Sequence, residues 1–306
     1  MSLSQVACRH AVKSVGADSL SLLDEKSVVL PNSDRIDNSW DAHDAEEMFT
    51  SLAPSCLSDD FKANPGFPLC AKGDTLLACD SYVSSFSPRF LQPVWTFWVL
   101  TPGMDKGNVK RGGFTVDERL PYEWQVQKGD YGNSGYTRGH MKPAGDCKYD
   151  ANVMKECMRM SNMCPQTGKL NAGAWNTVEN LCRTSWAKKE KMIFVVCGPI
   201  FKSQKLEYIG DAVKIAVPNQ FFKVVLSLRQ GHEKAIGFIF DNDESSARME
   251  DGVVSLEEVE KCVGFRIFPN LDAEIYEKVK SGKDLSVWTG KYYDEDHNRR
   301  KKSRRK

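Results

Sequence analysis

Apolar residues gather in five short runs, one in the first third of the chain and four between residues 192 and 240. These are VWTFWVL (94–100), MIFVVCGPIF (192–201), VKIAVP (213–218), QFFKVVLSL (220–228) and AIGFIF (235–240). They are rich in β-branched and aromatic residues and bounded by Gly, Pro or Asp, which predicts strands. They are near-continuously apolar rather than alternating, as expected of central strands covered on at least one face. Helical spacing takes over after Asn171 and again in VSLEEVEKCVG (254–264). There Ser255 predicts an N-cap, Glu258 completes a capping box and Gly264 stops the helix. Strands dominate and helices come in blocks, so the pattern predicts an α+β fold rather than alternating βαβ units.

The texture divides the chain into three parts. Residues 1–75 read as an extension rich in Ser and Asp, with helical hints at 44–52. Residues 76–293 read as the folded domain, and 294–306 as a basic disordered tail. The first 17 residues carry Arg9 and Lys13 but no acid, with Leu3, Val6, Ala7, Ala11 and Val15 near helical spacing. A mitochondrial targeting segment and a plain surface helix account for this equally well. No apolar run reaches the roughly 18–20 residues of a spanning helix, so no membrane insertion is expected.

The net charge of +1 conceals an asymmetry, because seven of the last eight residues (RRKKSRRK, 299–306) are cationic and the rest of the chain is net negative. Such a tail binds polyanions without reading bases and also looks like a nuclear-import signal. A polyanion partner would need local positive charge elsewhere, since the bulk field repels it. The ten cysteines are scattered without a CxxC or Cys/His cluster. That disfavours zinc, and a buried free thiol is the better reading of Cys197.

Chemistry concentrates in YTRGHMKPAG (136–145) and SNMCPQTGKLNAGAWNTVEN (161–180). His140 is one of only five histidines, and a neutral imidazole suits abstraction of a water proton near neutral pH. The glycines at 132, 135 and 139 suggest a tight hairpin or loop around it. At about 100° per residue, Trp175, Glu179 and Arg183 lie about 40°, 80° and 120° round from Asn171, beside a small or apolar stripe of Ala174, Val178, Leu181, Cys182 and Ser185. A plain structural account is available: Asn171 as an N-cap, and Glu179–Arg183 as an i,i+4 pair worth ~0.2–0.5 kcal/mol.

The segments GNSGYTRGHMKPAGD, MSNMCPQ and LNAGAWNTVEN, in this order and spacing, resemble the DNA/RNA non-specific nucleases with a ββα-metal site. This is the family of endonuclease G and of secreted bacterial nucleases. The likeness continues through VVCGPIF, VPNQFFKVVL and VGFRIFPNL, over roughly residues 76–270. It implies a ββα-metal (His-Me finger) fold with a central, mainly antiparallel sheet flanked by helices. It implies an Mg²⁺-dependent endonuclease, with Mn²⁺ as a substitute, cutting DNA and RNA to 5′-phosphate ends. By resemblance His140 would be the general base, Asn171 the one direct metal ligand, and Glu179 would reach the ion through bound water. Arg138 and Arg183 would contact or neutralise phosphate, Asn162 and Gln166 would position the site and substrate, and Arg111 would match an upstream phosphate-binding arginine. Homodimers occur in the family, though no segment here marks an interface.

Two positions depart from the family pattern: Thr137 stands where Asp is usual, and Ala172 follows the Asn where Gln is common. Two other readings suit the same motifs. One is a 5′-exonuclease-like member whose extension or tail blocks continuous duplex. The other is a catalytically dead nucleic-acid-binding scaffold, motivated by Thr137 and opposed by retention of His140, Asn171 and Glu179.

Overall fold

The structure, a computed structural model, describes residues 65–202, 205–245 and 248–289. The expected helices at 1–17 and 44–52 and the basic tail lie outside the described residues. The strands in chain order are β1 (Thr75–Cys79), β2 (Tyr82–Ser87), β3 (Gln92–Leu100), β4 (Thr137–His140), β5 (Met163–Gln166) and β6 (Ile193–Ile200). Then follow β7 (Tyr208–Ile209), β8 (Ile215–Ala216), β9 (Gln220–Ser227), β10 (Lys234–Asp241) and β11 (Val253–Val254). Seven of them form an antiparallel sheet in the order β1-β2-β3-β6-β9-β10-β11. The fold is α+β.

Both faces of this sheet are covered, which explains why β3, β6 and β9 read as continuous apolar runs. Inward-facing residues of one parity, including Phe97, Val196, Val224 and Leu226, pack against Leu256, Val259 and Val263. The last three belong to a helix at Leu256–Val263, capped as expected: Ser255 Oγ accepts from Glu258 N, Ser255 N donates to the Glu258 carboxylate, and Gly264 adopts φ 79°. Residues of the other parity, including Trp98, Val195, Phe221 and Val225, pack against Trp175, Val178, Cys182 and Trp186. These four sit on one long helix, residues 168–190.

That long helix carries the site, and its geometry differs from the uniform spacing used above. Thr167, not Asn171, is its N-cap, its hydroxyl accepting from Leu170 N at 3.4 Å. The chain then widens into two π-turns, Asn171–Trp175 and Cys182–Trp186, the first kinked at Gly173. π-turns of this kind recur at functional sites because they reposition side chains along a helix. They also make a constant 100° per residue a poor guide to which side chains align.

Strands β4 and β5 pair antiparallel away from the main sheet, Thr137 opposite Gln166 and His140 opposite Met163. Of the three glycines around His140, Gly132 and Gly135 lie in the turn leading into β4 and Gly139 lies within the strand; β4, β5 and the long helix form a ββα unit. The β1–β2 hairpin was not legible because Ser84 and Ser85 interrupt its apolar pattern; Ser84 Oγ instead pairs with Thr96 Oγ1 at 2.7 Å inside the sheet. VKIAVP forms only the two-residue β8, pairing with β7.

The packed domain begins ahead of residue 76. Phe67 is buried against Trp95 and Phe97, and Leu69 O accepts from Trp95 Nε1 at 3.2 Å. Phe67→Ala is expected to destabilise the domain by about 3 kcal/mol, the usual scale for a buried Phe truncation. Chemical denaturation of the full chain checks this; an unchanged midpoint would show that this segment is not part of the folding unit.

Candidate active site

The ββα unit closes a cleft of about 410 Å³ whose wall includes Arg111, Arg138, His140, Asn171, Glu179 and Arg183. Six of the eight residues expected at the site therefore meet there, from segments up to 72 residues apart. Asn162 and Gln166 do not line it.

His140 and Arg138 project to one face of β4, as two-residue alternation requires. Phe114 contacts both, with Arg138 Cζ 4.7 Å from its ring centre and the His140 ring 5.7 Å away. Arg138 also stacks over Tyr131 at 5.9 Å and donates a hydrogen bond to Lys128 O at 3.4 Å. Arg111 Nη2 lies 3.4 Å from His140 Nδ1 and 3.5 Å from Nε2. Near-equal distances to both nitrogens describe a guanidinium held against the ring, not a bond aimed at one lone pair. Burial, with the Arg111 charge second, pulls the His140 pKa down from 6.5 to about 3. The imidazole is therefore neutral at physiological pH.

Thr137 and Gly139 face the other way. Gln166 is fully buried and its side chain lies over Gly139, where any Cβ would collide with Oε1. This accounts for glycine at 139 through space rather than turn geometry. It also places Gln166 beneath the strand, out of reach of a substrate in the cleft. Asn162 is likewise fully buried. Its Oδ1 accepts from Lys142 N, and its Nδ2 donates to Lys142 O and Cys157 O, each at 2.9 Å. It fixes the turn after His140 instead of contacting the cleft.

Thr137 takes up the position that departs from the family pattern, and its hydroxyl bridges two elements. Oγ1 donates to Gln166 O at 2.9 Å, so it can only accept from Asn171, whose Nδ2 stands 2.9 Å away. Only the NH₂ end of the Asn171 amide can satisfy that hydroxyl. Oδ1, the end able to bind a cation, is left for the cleft. Mg²⁺ keeps most of its waters and takes one or two protein oxygens, so a single free amide oxygen fits such an ion. Among the described residues no group of three or more His, Cys, Asp or Glu could hold a metal.

Glu179 is largely buried, and burial raises its pKa against the opposing pull of Lys223 and Arg183. Arg183 is fully engaged: Nε donates to Asp146 Oδ1 at 2.7 Å, Nη1 to Asn180 Oδ1 at 2.6 Å and Nη2 to Glu179 Oε2 at 3.3 Å. Gly145 lets the guanidinium lie flat, since a Cβ there would come within 2.7 Å of Cζ.

A family model described as DNA/RNA non-specific endonuclease matches residues 63–274. The chain belongs to this family. It is 33% identical to Nuclease EXOG, mitochondrial, of Xenopus laevis, over 68% of this chain and 62% of that protein. With Nuclease 1, mitochondrial, of Schizosaccharomyces pombe, identity is 32% over 62% of this chain and 65% of the relative. The chain thus covers less than two thirds of these relatives' lengths. A solved structure of an EndoG/EndoGI complex superposes with a TM-score of 0.61 at 30% identity, covering 65% of this chain and 87% of that one.

Sequence reading missed several residues of this family member's site. Asp105, Lys148, Asn176, Asn180 and Thr184 also line the cleft. The four-residue spacing of Asn176, Asn180 and Thr184 was an available signal. Asp146 and Lys223 stand in the segments PAGD and QFFKVVL, but their parts at the site were not readable there, because their partners come from distant elements.

Two expectations follow. A His whose folded pKa falls below 6.5 stabilises the fold above that value, and the contribution is lost as pH drops towards about 3. In NMR titration His140 should therefore stay neutral from about pH 8 to pH 5, outside the usual histidine range; a midpoint near 6.5 would contradict its burial. Thr137→Val should cost about 1–2 kcal/mol by orphaning both bonds of the hydroxyl. Thr137→Ser should cost little, and denaturant midpoints of the two variants decide.

Proposed function

We propose that this protein is an Mg²⁺-dependent, sugar-non-specific endonuclease that hydrolyses phosphodiester bonds in DNA and RNA to leave 5′-phosphate ends. The observation that carries the reading is the cleft itself. A neutral imidazole, two arginines not consumed by acids, a free amide oxygen and a compensated carboxylate converge on one wall. Family membership and nuclease-named relatives support the same activity.

In this reading Arg111 and Arg138 seat the scissile phosphate, which suits planar, always-charged guanidinium groups. Arg183 is held by three protein acceptors, so its part is to orient Glu179 and add positive field rather than to grip phosphate. His140 accepts a proton from the attacking water. A base with a pKa of about 3 is weak, but phosphate seated on Arg111 neutralises one cause of that depression and strengthens the base. Asn171 Oδ1 would be the direct protein ligand of Mg²⁺, and Glu179 would hold the ion's water. Bound there, the ion supplies positive charge to the phosphorane and to the departing 3′ oxygen. Several relatives are named mitochondrial, which supports a mitochondrial site of action, open to test by imaging a tagged full chain.

Supercoiled plasmid incubated with Mg²⁺ should be nicked and then linearised, and chelator should stop the reaction. Failure to cut a circle would exclude endonucleolytic action. His140→Ala should lower the rate by ~10²–10⁴, the range for loss of a general base. Asn171→Ala should raise the Mg²⁺ concentration needed for half-maximal rate; an unchanged requirement would remove Asn171 as the ligand.

A further inference from the structure

Strand β9 carries one charged residue into the sheet interior. Lys223 lies in the row Phe221, Lys223, Val225 that faces the long helix, and is 1% exposed. Burying an ammonium among apolar side chains is costly unless something compensates it. Among the described residues its Nζ finds no hydrogen-bond partner. It sits 4.0 Å from the Trp175 ring centre, 5.5 Å from that of Trp98 and 3.7 Å from Glu179 Oε1. Arg183 meets the other carboxylate oxygen, Oε2, at 3.3 Å. Each oxygen of Glu179 therefore faces one cation, and the two cations belong to different elements. Lys223 does not line the cleft.

We propose that Lys223 is a positioning residue for catalysis: from beneath the cleft it fixes the orientation and compensates the charge of Glu179, so that the carboxylate is presented to the site. The inference rests on the function proposed above for Glu179. Trp175 supports the lysine through cation–π attraction, which steers the ammonium without competing for the carboxylate. A core-packing role alone would give Lys223 no dependence on Glu179.

The test is a double-mutant cycle in the full chain, combining Lys223→Met and Lys223→Arg with Glu179→Gln. Single-turnover cleavage of linear duplex, run long enough to quantify slow variants, gives the rates, and thermal melting gives a readout independent of activity. Lys223→Met replaces the ammonium by an apolar group of similar shape; it leaves the buried Glu179 carboxylate with one cation fewer, so the melting temperature should fall as well. Its kcat should fall by about 10- to 100-fold, the scale of losing a supporting contact around a metal-site group, with KM for duplex nearly unchanged. Lys223→Arg should recover part of the loss. In the Glu179→Gln background Lys223→Met should change kcat by less than about 2-fold, because residues in one network are non-additive. Melting shifts should be coupled in the same way.

An unaltered kcat in Lys223→Met overturns the proposal. So does an equal fractional loss in both backgrounds, or strictly additive melting shifts. If Lys223→Met does not fold, Lys223→Arg carries the rate comparison in both backgrounds, and additivity there overturns it equally. If Glu179→Gln cleaves at the wild-type rate, the role given to Glu179 fails and this inference with it. A slow Glu179→Gln with uncoupled Lys223 leaves that role standing and removes only the inference.

Discussion

Arg183 joins the parts of this molecule that must act together. One guanidinium bonds Asp146, which follows the His140 strand by six residues, and Glu179 and Asn180 on its own helix. Asp146 is in turn held by Trp98 Nε1 from the central sheet at 3.2 Å. Sheet, loop and helix are thus linked through a single buried cation. The arrangement works because each partner is an acceptor and the guanidinium offers five donors in a fixed plane. Gly145 permits it by leaving room for the guanidinium to lie flat.

The same region shows how the fold distributes buried charge. Asp146 and Glu179 are balanced by Arg183 and Lys223, whereas His140 is left uncharged between Arg111 and Phe114. Arg111 and Arg138, which face the cleft and have no carboxylate partner among the described residues, could meet an anion. The distinction between Arg138 and Arg183, both expected to handle phosphate, comes from their neighbours and not from their type.

Thr137 illustrates how a departure from a family pattern can be absorbed. An Asp there would offer Asn171 an acceptor but could not donate to Gln166 O when ionised. A hydroxyl does both at once and fixes which end of the Asn171 amide faces the cleft. The substitution therefore leaves a working link in place, and Thr137 gives no reason to regard the site as dismantled.

Much of this was legible in the sequence, for identifiable reasons. The central strands declared themselves because burial on both faces demands unbroken apolar runs, and the helix at Leu256–Val263 because its caps are local, set within four residues. His140, Asn171 and Glu179 were singled out by the likeness of two short segments to a family pattern, which is short-range information; helical spacing alone left a plain structural account open. What the tertiary structure decided involves partners far apart in the chain. Trp98, Asp146, Arg183 and Lys223 come from four separate elements, and only their packing made Lys223 a neighbour of Glu179. It likewise moved Gln166 beneath Gly139, and made Thr167 the helix cap so that Asn171 was free. Periodicity records which face of an element is buried; it carries no record of which distant side chain lies opposite, because that depends on how the buried faces stack.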